Sequence, residues 1–287
     1  MAETLTFIGF GEAGKAFASS IDRAGLAAVS GFDLKPESAK IMQDLAVIAH
    51  ASAPDALAVA DAVWCLVTAD QAADVARQAA AHLQPGAFWF DGNSCSPGSK
   101  RVAAAAIEGG GGRYVDVAIM APVHPLRAKA PLLLAGPHAQ AAAEFLRGLG
   151  MQPTVVGDSV GQASTIKMMR SVMIKGIEAL TAECVLGARR AGVDDKVLAS
   201  LNKSDPGFDW PQRSAYNFER MAVHGQRRAA EMREVARTLQ ELDLPDRMAA
   251  ATAVWQQQIA DLAVPMDGDA SVESRADRLL DALTRHP

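Results

Sequence analysis

Three glycines and an aspartate near the start of the chain have the spacing of an anion cradle. In "FIGFGEAGKAFA" (7–18), Gly9, Gly11 and Gly14 follow a G-x-G-x-x-G pattern, and a different physical need selects glycine at each. Gly9 permits a tight turn, Gly11 lets the backbone approach a pyrophosphate, and Gly14 allows a helix to pack closely on a sheet. The pattern also arises by chance, so its context decides. "LTFI" (5–8) is a strand entering the loop, and "AGKAFASSIDRAG" (13–25) is a helix leaving it. The next strand ends in "GFD" (31–33). Its Asp33 can accept hydrogen bonds from adenosine ribose hydroxyls and repel a 2′-phosphate, which favours NAD over NADP, although the nearby Lys35 works against that preference.

A second group that could do chemistry lies in "QASTIKMMRSVMIKGIEALTAECVLGARRAG" (162–192). The stretch lacks proline and ends in basic residues before Gly192, as a helix C-terminus does. At about 100° per residue, Lys167, Arg170, Ser171, Ile174, Lys175 and Glu178 fall along one side of this helix. Ile166, Met168, Met169, Val172, Met173, Ile177 and Leu180 cover most of the rest. A mainly apolar helix with one polar stripe is expected to pack against protein on most faces and turn the stripe to a cleft. Further on, His224, Arg227 and Arg228 lie within about one helical turn. With Arg170 they could hold a carboxylate or phosphate through arginine forks; the alternative is a solvated face on which Arg227 pairs with Glu231 at i, i+4.

The elements that must position these groups change character along the chain. Up to about residue 158, short β-type runs alternate with alanine-rich helical stretches: "LTFI", "AAVSGF" (27–32), "AVWCLVT" (62–68), "AFWFD" (87–91), "YVDVAI" (114–119), "LLLAG" (132–136) and "PTVV" (153–156), with helices over 70–83, 98–107 and 139–148. That alternation predicts an α/β Rossmann domain with a doubly wound, mostly parallel sheet over 1–158. The "GGGG" at 109–112 reads as a turn between a helix and a strand. After Gly161 no strand is expected. The long helix and helices over 216–242 and 246–262, separated by "DPGFDWP" and "LDLP", make 159–287 an all-α domain.

Composition narrows the classes of function. Of 287 residues, 49% are apolar and 21% charged, with a net charge of −5; the balance is that of a folded globular protein, and no basic face or polybasic run invites nucleic acid or a membrane surface. Three scattered cysteines, Cys65, Cys95 and Cys184, lack C-x-x-C spacing and nearby histidines, so they read as reduced thiols and exclude a clustered metal site. No window approaches a membrane span and no basic segment precedes the first apolar run, so a cytoplasmic protein is expected.

The chain resembles the β-hydroxyacid dehydrogenases, the group that includes 3-hydroxyisobutyrate and 6-phosphogluconate dehydrogenases, over its whole length. The resemblance rests on "GFGEAG" (9–14), "DGNSCSP" (91–97) where the family has an Asp-x-Ser-Thr-like loop, and "GQASTIK" (161–167) in place of Gly-x-Gly-x-x-x-Lys. The C-terminal half, with "DPGFDW" and "HGQRRAAEMREVA", resembles a subgroup with a 6-phosphogluconate dehydrogenase-like C-terminal domain. The resemblance implies Lys167 as catalytic acid/base. It also implies cofactor contacts at Gly9, Phe10, Gly11, Glu12, Ala13, Gly14, Asp33, Leu34, Val67, Thr68, Asn93 and Ser94, and a homodimer. A long helix in so small an α-domain points the same way, since its own domain cannot cover it.

The departures bear on substrate. Arg170 and Ser171 stand where the family carries an asparagine one turn beyond the lysine. The Asp-Ala-Pro-Val-Ser-Gly-Gly substrate loop becomes "DVAIMAP" (116–122), which brings Met120, Ala121 and Pro122 to the substrate. Ile174 replaces the acid that assists decarboxylation in phosphogluconate dehydrogenases. The expectation is therefore NAD(P)-dependent hydride transfer, NAD favoured, to or from a small anionic hydroxy acid or related hydroxy compound, with Met120, Ala121, Pro122, Arg170, Ser171 and His224 lining its site and no metal. An imine or keto reductase of the same architecture, or a non-catalytic dinucleotide sensor, is the alternative.

Overall fold

The short N-terminal runs are largely continuous in apolar residues, and those over 62–65, 88–91 and 113–119 become strands buried on both faces, with successive side chains alternating between the two. The computed structural model describes residues 3–268 and 270–285. Its strands are β1 (Glu3–Ile8), β2 (Leu26–Phe32), β3 (Ile48–Ala49), β4 (Ala62–Cys65), β5 (Phe88–Asp91), β6 (Arg113–Ile119), β7 (Pro131–Ala135) and β8 (Gln152–Gly157). They form one sheet in the order β3-β2-β1-β4-β5-β6-β7-β8. Neighbours pair in parallel except β6 with β7, which are antiparallel. The connections carry α1 (Glu12–Ala18), α2 (Glu37–Asp44), α3 (Ala53–Leu57), α4 (Ala72–Ala79), α5 (Pro97–Gly109), a short turn α6 (Val123–Leu126) and α7 (Ala139–Gly148).

The alternation sorts the core into two layers. Phe7, Trp64, Phe88 and Phe90 pack with Phe17 of α1 on one side of the sheet. Val63, Cys65 and Trp89 pack with Ala76 of α4 and Ile107 of α5 on the other. This is the Rossmann arrangement expected from the sequence. β3, α2 and α3 had no signal there: β3 is only two residues long and exposed, α2 is short and mostly polar, and α3 is five residues with Pro54 in its first turn. The glycine run behaves as a turn, because a Cβ on Gly110 would collide with the Ala80 carbonyl.

The chain divides into two compact units, Met1–Lys167 and Met168–Pro287. The helix α8 (Gln162–Arg190) therefore begins in the first unit and continues in the second. There it is joined by α9 (Asp194–Ser204), α10 (Trp210–Glu241), α11 (Arg247–Asp261) and α12 (Val272–Arg285). No strand follows β8 among the described residues. Asp209 caps α10 by accepting from the Gln212 N–H at 3.0 Å, with Pro211 in its first turn, so "DPGFDWP" is a helix start as well as a stop. Within the second unit, Leu186, Phe218, Met221, Ile259, Val272 and Leu279 make one core cluster and Met168, Met232, Val235 and Ala253 another. Trp210 and Trp255 pack against the first. Gly225 lets α10 and α11 touch: a Cβ there would lie 2.5 Å from the Gln256 carbonyl oxygen.

Candidate active site

Strands β1, β2, β4, β5 and β6 are mutually parallel, so their C-terminal ends share one edge of the sheet, and the strand order reverses between β1 and β4. Doubly wound sheets open a ligand crevice at such a switch point. The glycine loop sits there. Gly9 has φ +89°, and a Cβ on it would lie 2.5 Å from the Leu66 carbonyl oxygen. Gly14 would bring a Cβ to 2.9 Å from the Gly9 oxygen, whereas at Gly11 nothing lies within 4 Å. The first and third glycines are thus required by packing, and the second leaves open space above the loop. Asp33, at the end of β2, accepts from the Phe10 N–H at 2.6 Å and the Lys35 N–H at 2.8 Å. It ties β2 to the glycine loop, a structural duty that sequence reasoning did not assign. Beside it Leu34 is 87% exposed. Val67 borders Gly9, and Thr68 is exposed after the end of β4.

The β5–α5 loop is built on a buried polar group. Ser96 caps α5 by accepting from the Ser99 N–H, with Pro97 in the first helical position. Asp91 Oδ1 accepts from the Asn93 N–H at 3.0 Å and from Asn93 Nδ2 at 2.7 Å, and its Oδ2 accepts from the Tyr114 hydroxyl at 2.7 Å. Lys100, fully buried one turn into α5, donates to the Asp91 carbonyl at 2.6 Å and to Asp91 Oδ1 at 3.0 Å. Burial works against its charge, but the Asp91 and Asp116 carboxylates outweigh that and hold its pKa above the ordinary lysine value. Burial, reinforced by Asp91, pushes the Cys65 thiol and the Tyr114 hydroxyl up. Asn93 is 5% exposed, and its Oδ1 has no hydrogen-bond partner.

Asp116, at the middle of β6, caps α8 from a distance. Its Oδ2 accepts from the Gly161 N–H at 3.0 Å, the Ser164 N–H at 3.1 Å and the Ser164 hydroxyl at 3.2 Å, which satisfies donors that a helix N-terminus leaves open. One turn later Lys167 donates from Nζ to Ser94 Oγ at 2.6 Å. The structure thus brings together two residues far apart in the chain, Lys167 and Ser94. Met120 follows β6 on the same edge, hydrogen-bonded through its N–H to the Pro131 carbonyl and packed near Ala163 of α8; Ala121 is half-buried and Pro122 exposed. Sequence reasoning gave Lys100 and Tyr114 no role. A lysine in an alanine-rich helix reads as a solvated charge; the available signal was Asp91 and Asp116, which face each other across β5 and β6.

In the second unit the polar stripe of α8 differs from expectation. Ser171, Lys175 and Glu178 do not turn to a cleft but are buried. Lys175 donates to Ser171 Oγ at 3.0 Å and pairs with Glu231 at 2.9 Å. Glu178 takes a two-pronged pair from Arg228, with Nε at 2.8 Å, and accepts from Gln256 Nε2 at 3.0 Å. Helix α10 supplies complementary charges three residues apart, so protein satisfies the stripe. The grouping of His224, Arg227 and Arg228 as an anion site is therefore overturned: Arg228 is buried against Glu178, and Arg227 forms the i, i+4 pair with Glu231 at 2.7 Å. His224 is half-buried. Arg170 is exposed, so water solvates its charge and burial does not force a partner on it.

Residues 4–151 match the NAD binding domain of 6-phosphogluconate dehydrogenase, and residues 188–259 match a domain of unknown function (DUF1932). The chain belongs to the β-hydroxyacid dehydrogenase family. A conserved hypothetical protein from Sinorhizobium meliloti 1021 is 35% identical, with 98% of this chain and 97% of that one covered and a TM-score of 0.79. A conserved protein of unknown function, whose structure reveals similarity with 3-hydroxyacid dehydrogenases, is 30% identical over 90% of this chain and 97% of its own, TM-score 0.72. Mycobacterium tuberculosis 3-hydroxyisobutyrate dehydrogenase, solved with L-serine, shares the fold at 17% identity, covering 97% and 98% of the two chains with a TM-score of 0.75. The chain is a dehydrogenase acting on CH–OH groups and uses a nicotinamide cofactor. Its residues fit one: Gly11 leaves room where a pyrophosphate must approach, Asp33 stands at the end of β2, and the unpartnered Asn93 Oδ1 can accept from an amide donor. No group of three or more His, Cys, Asp or Glu side chains among the described residues is arranged to hold a metal, and no described helix is long and apolar enough to cross a membrane.

Proposed function

We propose that the protein oxidises, or in reverse forms, the hydroxyl of a small anionic hydroxy acid with Lys167 as acid/base and NAD as the preferred cofactor. The observation that carries this reading is the hydrogen bond of 2.6 Å from Lys167 Nζ to Ser94 Oγ, at the edge where β5 delivers its loop. The nicotinamide, when bound, takes or gives the hydride. In oxidation Lys167 takes the hydroxyl proton, and in reduction it returns it. Ser94 accepts from Lys167 and keeps its own proton to donate, so the pair can orient one substrate oxygen. Residues 9 to 14 would hold the pyrophosphate and Asp33 the adenosine ribose. Leu34 would cover the adenine, Val67 and Thr68 would flank the cofactor, and Asn93 would accept from the carboxamide. Met120, Ala121, Pro122 and His224 are assigned to the substrate. Arg170, exposed and three residues beyond Lys167 on α8, is assigned to its carboxylate.

Two further assignments accompany this reading. Met173 and Leu180 are exposed at 62% and 55% and lie seven residues apart on α8, which supports a homodimer that covers them. The three cysteines are free thiols, which suits a reducing compartment such as the cytosol. The test is a panel of hydroxy acids and sugar acids with NAD and NADP, followed by the absorbance of the reduced nicotinamide. Lys167→Ala should lower kcat by about 10²- to 10⁴-fold with cofactor affinity nearly unchanged. Arg170→Met should raise KM for an acidic substrate by about ten- to a hundredfold. Retained turnover in Lys167→Ala would remove the lysine from the chemistry, and an unaltered KM in Arg170→Met would remove the requirement for an acid.

A further inference from the structure

Asp91 and Asp116 are directly opposed in the register of β5 and β6, and both side chains are buried. Two carboxylates facing each other on adjacent strands repel, and burial sharpens the repulsion. Their charge is balanced from two directions. The N-terminus of α8 meets Asp116 through Gly161 and Ser164, where the helix dipole favours an anion. The ammonium of Lys100 meets Asp91 at 3.0 Å and stands 3.7 Å from Asp116 Oδ1, whose hydrogen-bonding capacity is otherwise unused. A side chain with 0% exposure touches no substrate, and the acid/base chemistry does not use it.

These links close a ring. From Lys100 it runs to Asp91, on through Asn93 to Ser94, across to Lys167, back along the first turn of α8 to Ser164, then to Asp116 and Lys100 again. Two segments of separate origin, the β5–α5 loop and the start of α8, are thereby referred to one buried cation. We infer that Lys100 is a positioning residue, which holds Ser94 and Lys167 in register by fixing Asp91 under one and Asp116 under the other. The inference rests on the acid/base reading of Lys167 for its functional meaning but not for its geometry.

The test reads Lys167 directly in the full-length protein without cofactor or substrate. Trace acetylation with acetic anhydride, resolved by mass spectrometry of the peptides, gives the relative reactivity of each lysine. In Lys100→Met, Lys167 should gain reactivity relative to the exposed Lys40 and Lys203 by about threefold or more, the low end of what coupling through one network produces. Hydrogen exchange in the β1 and β4 peptides should stay as in the wild type, since a merely structural role would loosen those strands as well. Because Lys100→Met leaves two carboxylates facing one another, Lys100→Met/Asp116→Asn, which keeps the net charge of the buried group, and Asp116→Asn alone are read beside it. With a substrate from the panel, kcat should fall about tenfold or more while NAD affinity holds, as a misplaced catalytic group does. Unchanged Lys167 reactivity in a folded variant would overturn the inference. So would reactivity that rises only in step with exchange of β1 and β4, or loss of fold in all three variants, which would make the group a pillar of the fold. Full turnover in Lys167→Ala would instead overturn the acid/base reading and leave the labelling result standing.

Discussion

Asp33→Ala should do two separable things, because its carboxylate has two duties. It accepts the Phe10 N–H at 2.6 Å and the Lys35 N–H at 2.8 Å, and in the proposed complex it also accepts from the ribose. The Lys35 bond is exposed and contributes little, whereas the Phe10 bond is partly buried beside a fully buried ring. A hydrogen bond to a charged group is worth about 1.5–3 kcal/mol. For a unit of this size that is a fall in Tm of roughly 3–12 °C. NAD affinity should drop as the ribose acceptor is lost and the Phe10–Gly11 backbone comes free. NADP should lose less, since a like charge beside its 2′-phosphate has gone, so the gap between the two narrows. Asp33→Asn separates the effects: the amide oxygen still accepts from Phe10, so stability is largely kept while the cofactor preference shrinks. Calorimetric titration with both cofactors and thermal unfolding of the three proteins give the answer. A wild type that prefers NADP, or an Asp33→Ala protein with wild-type Tm and NAD affinity, would refute the reasoning.

Other outcomes follow from packing and charge. Gly225→Ala should destabilise the helical unit by about 1–3 kcal/mol, because the new Cβ would lie 2.5 Å from the Gln256 carbonyl oxygen; Gly176→Ala, in open space on α8, should stabilise by about 0.5–1 kcal/mol, and denaturant unfolding compares them. Arg189 forks onto Asp277 at 2.8 and 2.7 Å and holds its carboxyl below the ordinary value of 3.8. A depressed carboxyl contributes stability above its unfolded pKa and loses it as pH falls through the folded one. Arg189→Met should therefore be less stable than wild type at neutral pH, with the difference closing below about pH 4. Cys65 and Cys95 are buried, so neither should react rapidly with a disulfide reagent in the native protein; three rapid thiols would contradict the buried β5–α5 loop. A monomer by light scattering at micromolar concentration would contradict the homodimer.

What was legible in the sequence is what local physics decides. The glycine spacing, the alternation of short β-type runs with alanine-rich stretches and the proline-free run from 162 each carry their own signal, and each became the expected element. The elements without a signal are short or polar: β3 borrows its hydrogen bonds from β2, while α9 and α12 follow loops whose composition marked no helix. The site divides in the same way. Asp33 and the glycines were readable because they fall within one strand–loop–helix–strand unit at the start of the chain. The burial of Lys100 was not, because it depends on the register of β5 against β6. Nor was the closure of the stripe on α8, because Arg228 and Glu231 reach it from a helix fifty residues away in sequence.

That last difference changes how the helix is understood. If Ser171, Lys175 and Glu178 faced solvent or a cleft, three or more polar groups would be available to select a substrate. With Glu178 closed by Arg228 and Gln256, and Lys175 by Glu231, the stripe instead fixes α8 against α10 and α11. A buried pair of this kind makes one packing register preferable to its neighbours, since sliding by a turn would strand charges. Of that stripe, the polar groups left for recognition are then Lys167 near its start and the exposed Arg170 one turn on. Under the proposed reading, selection of substrate would rest on that short segment and on the residues after β6, where methionine, alanine and proline offer shape rather than hydrogen bonds. A substrate recognised this way presents one anionic group to Arg170 and an apolar flank to Met120. Within the panel, acids with short alkyl substituents should accordingly be turned over faster than polyhydroxylated sugar acids of the same charge, and the reverse order would show that the β6 loop does not line the substrate.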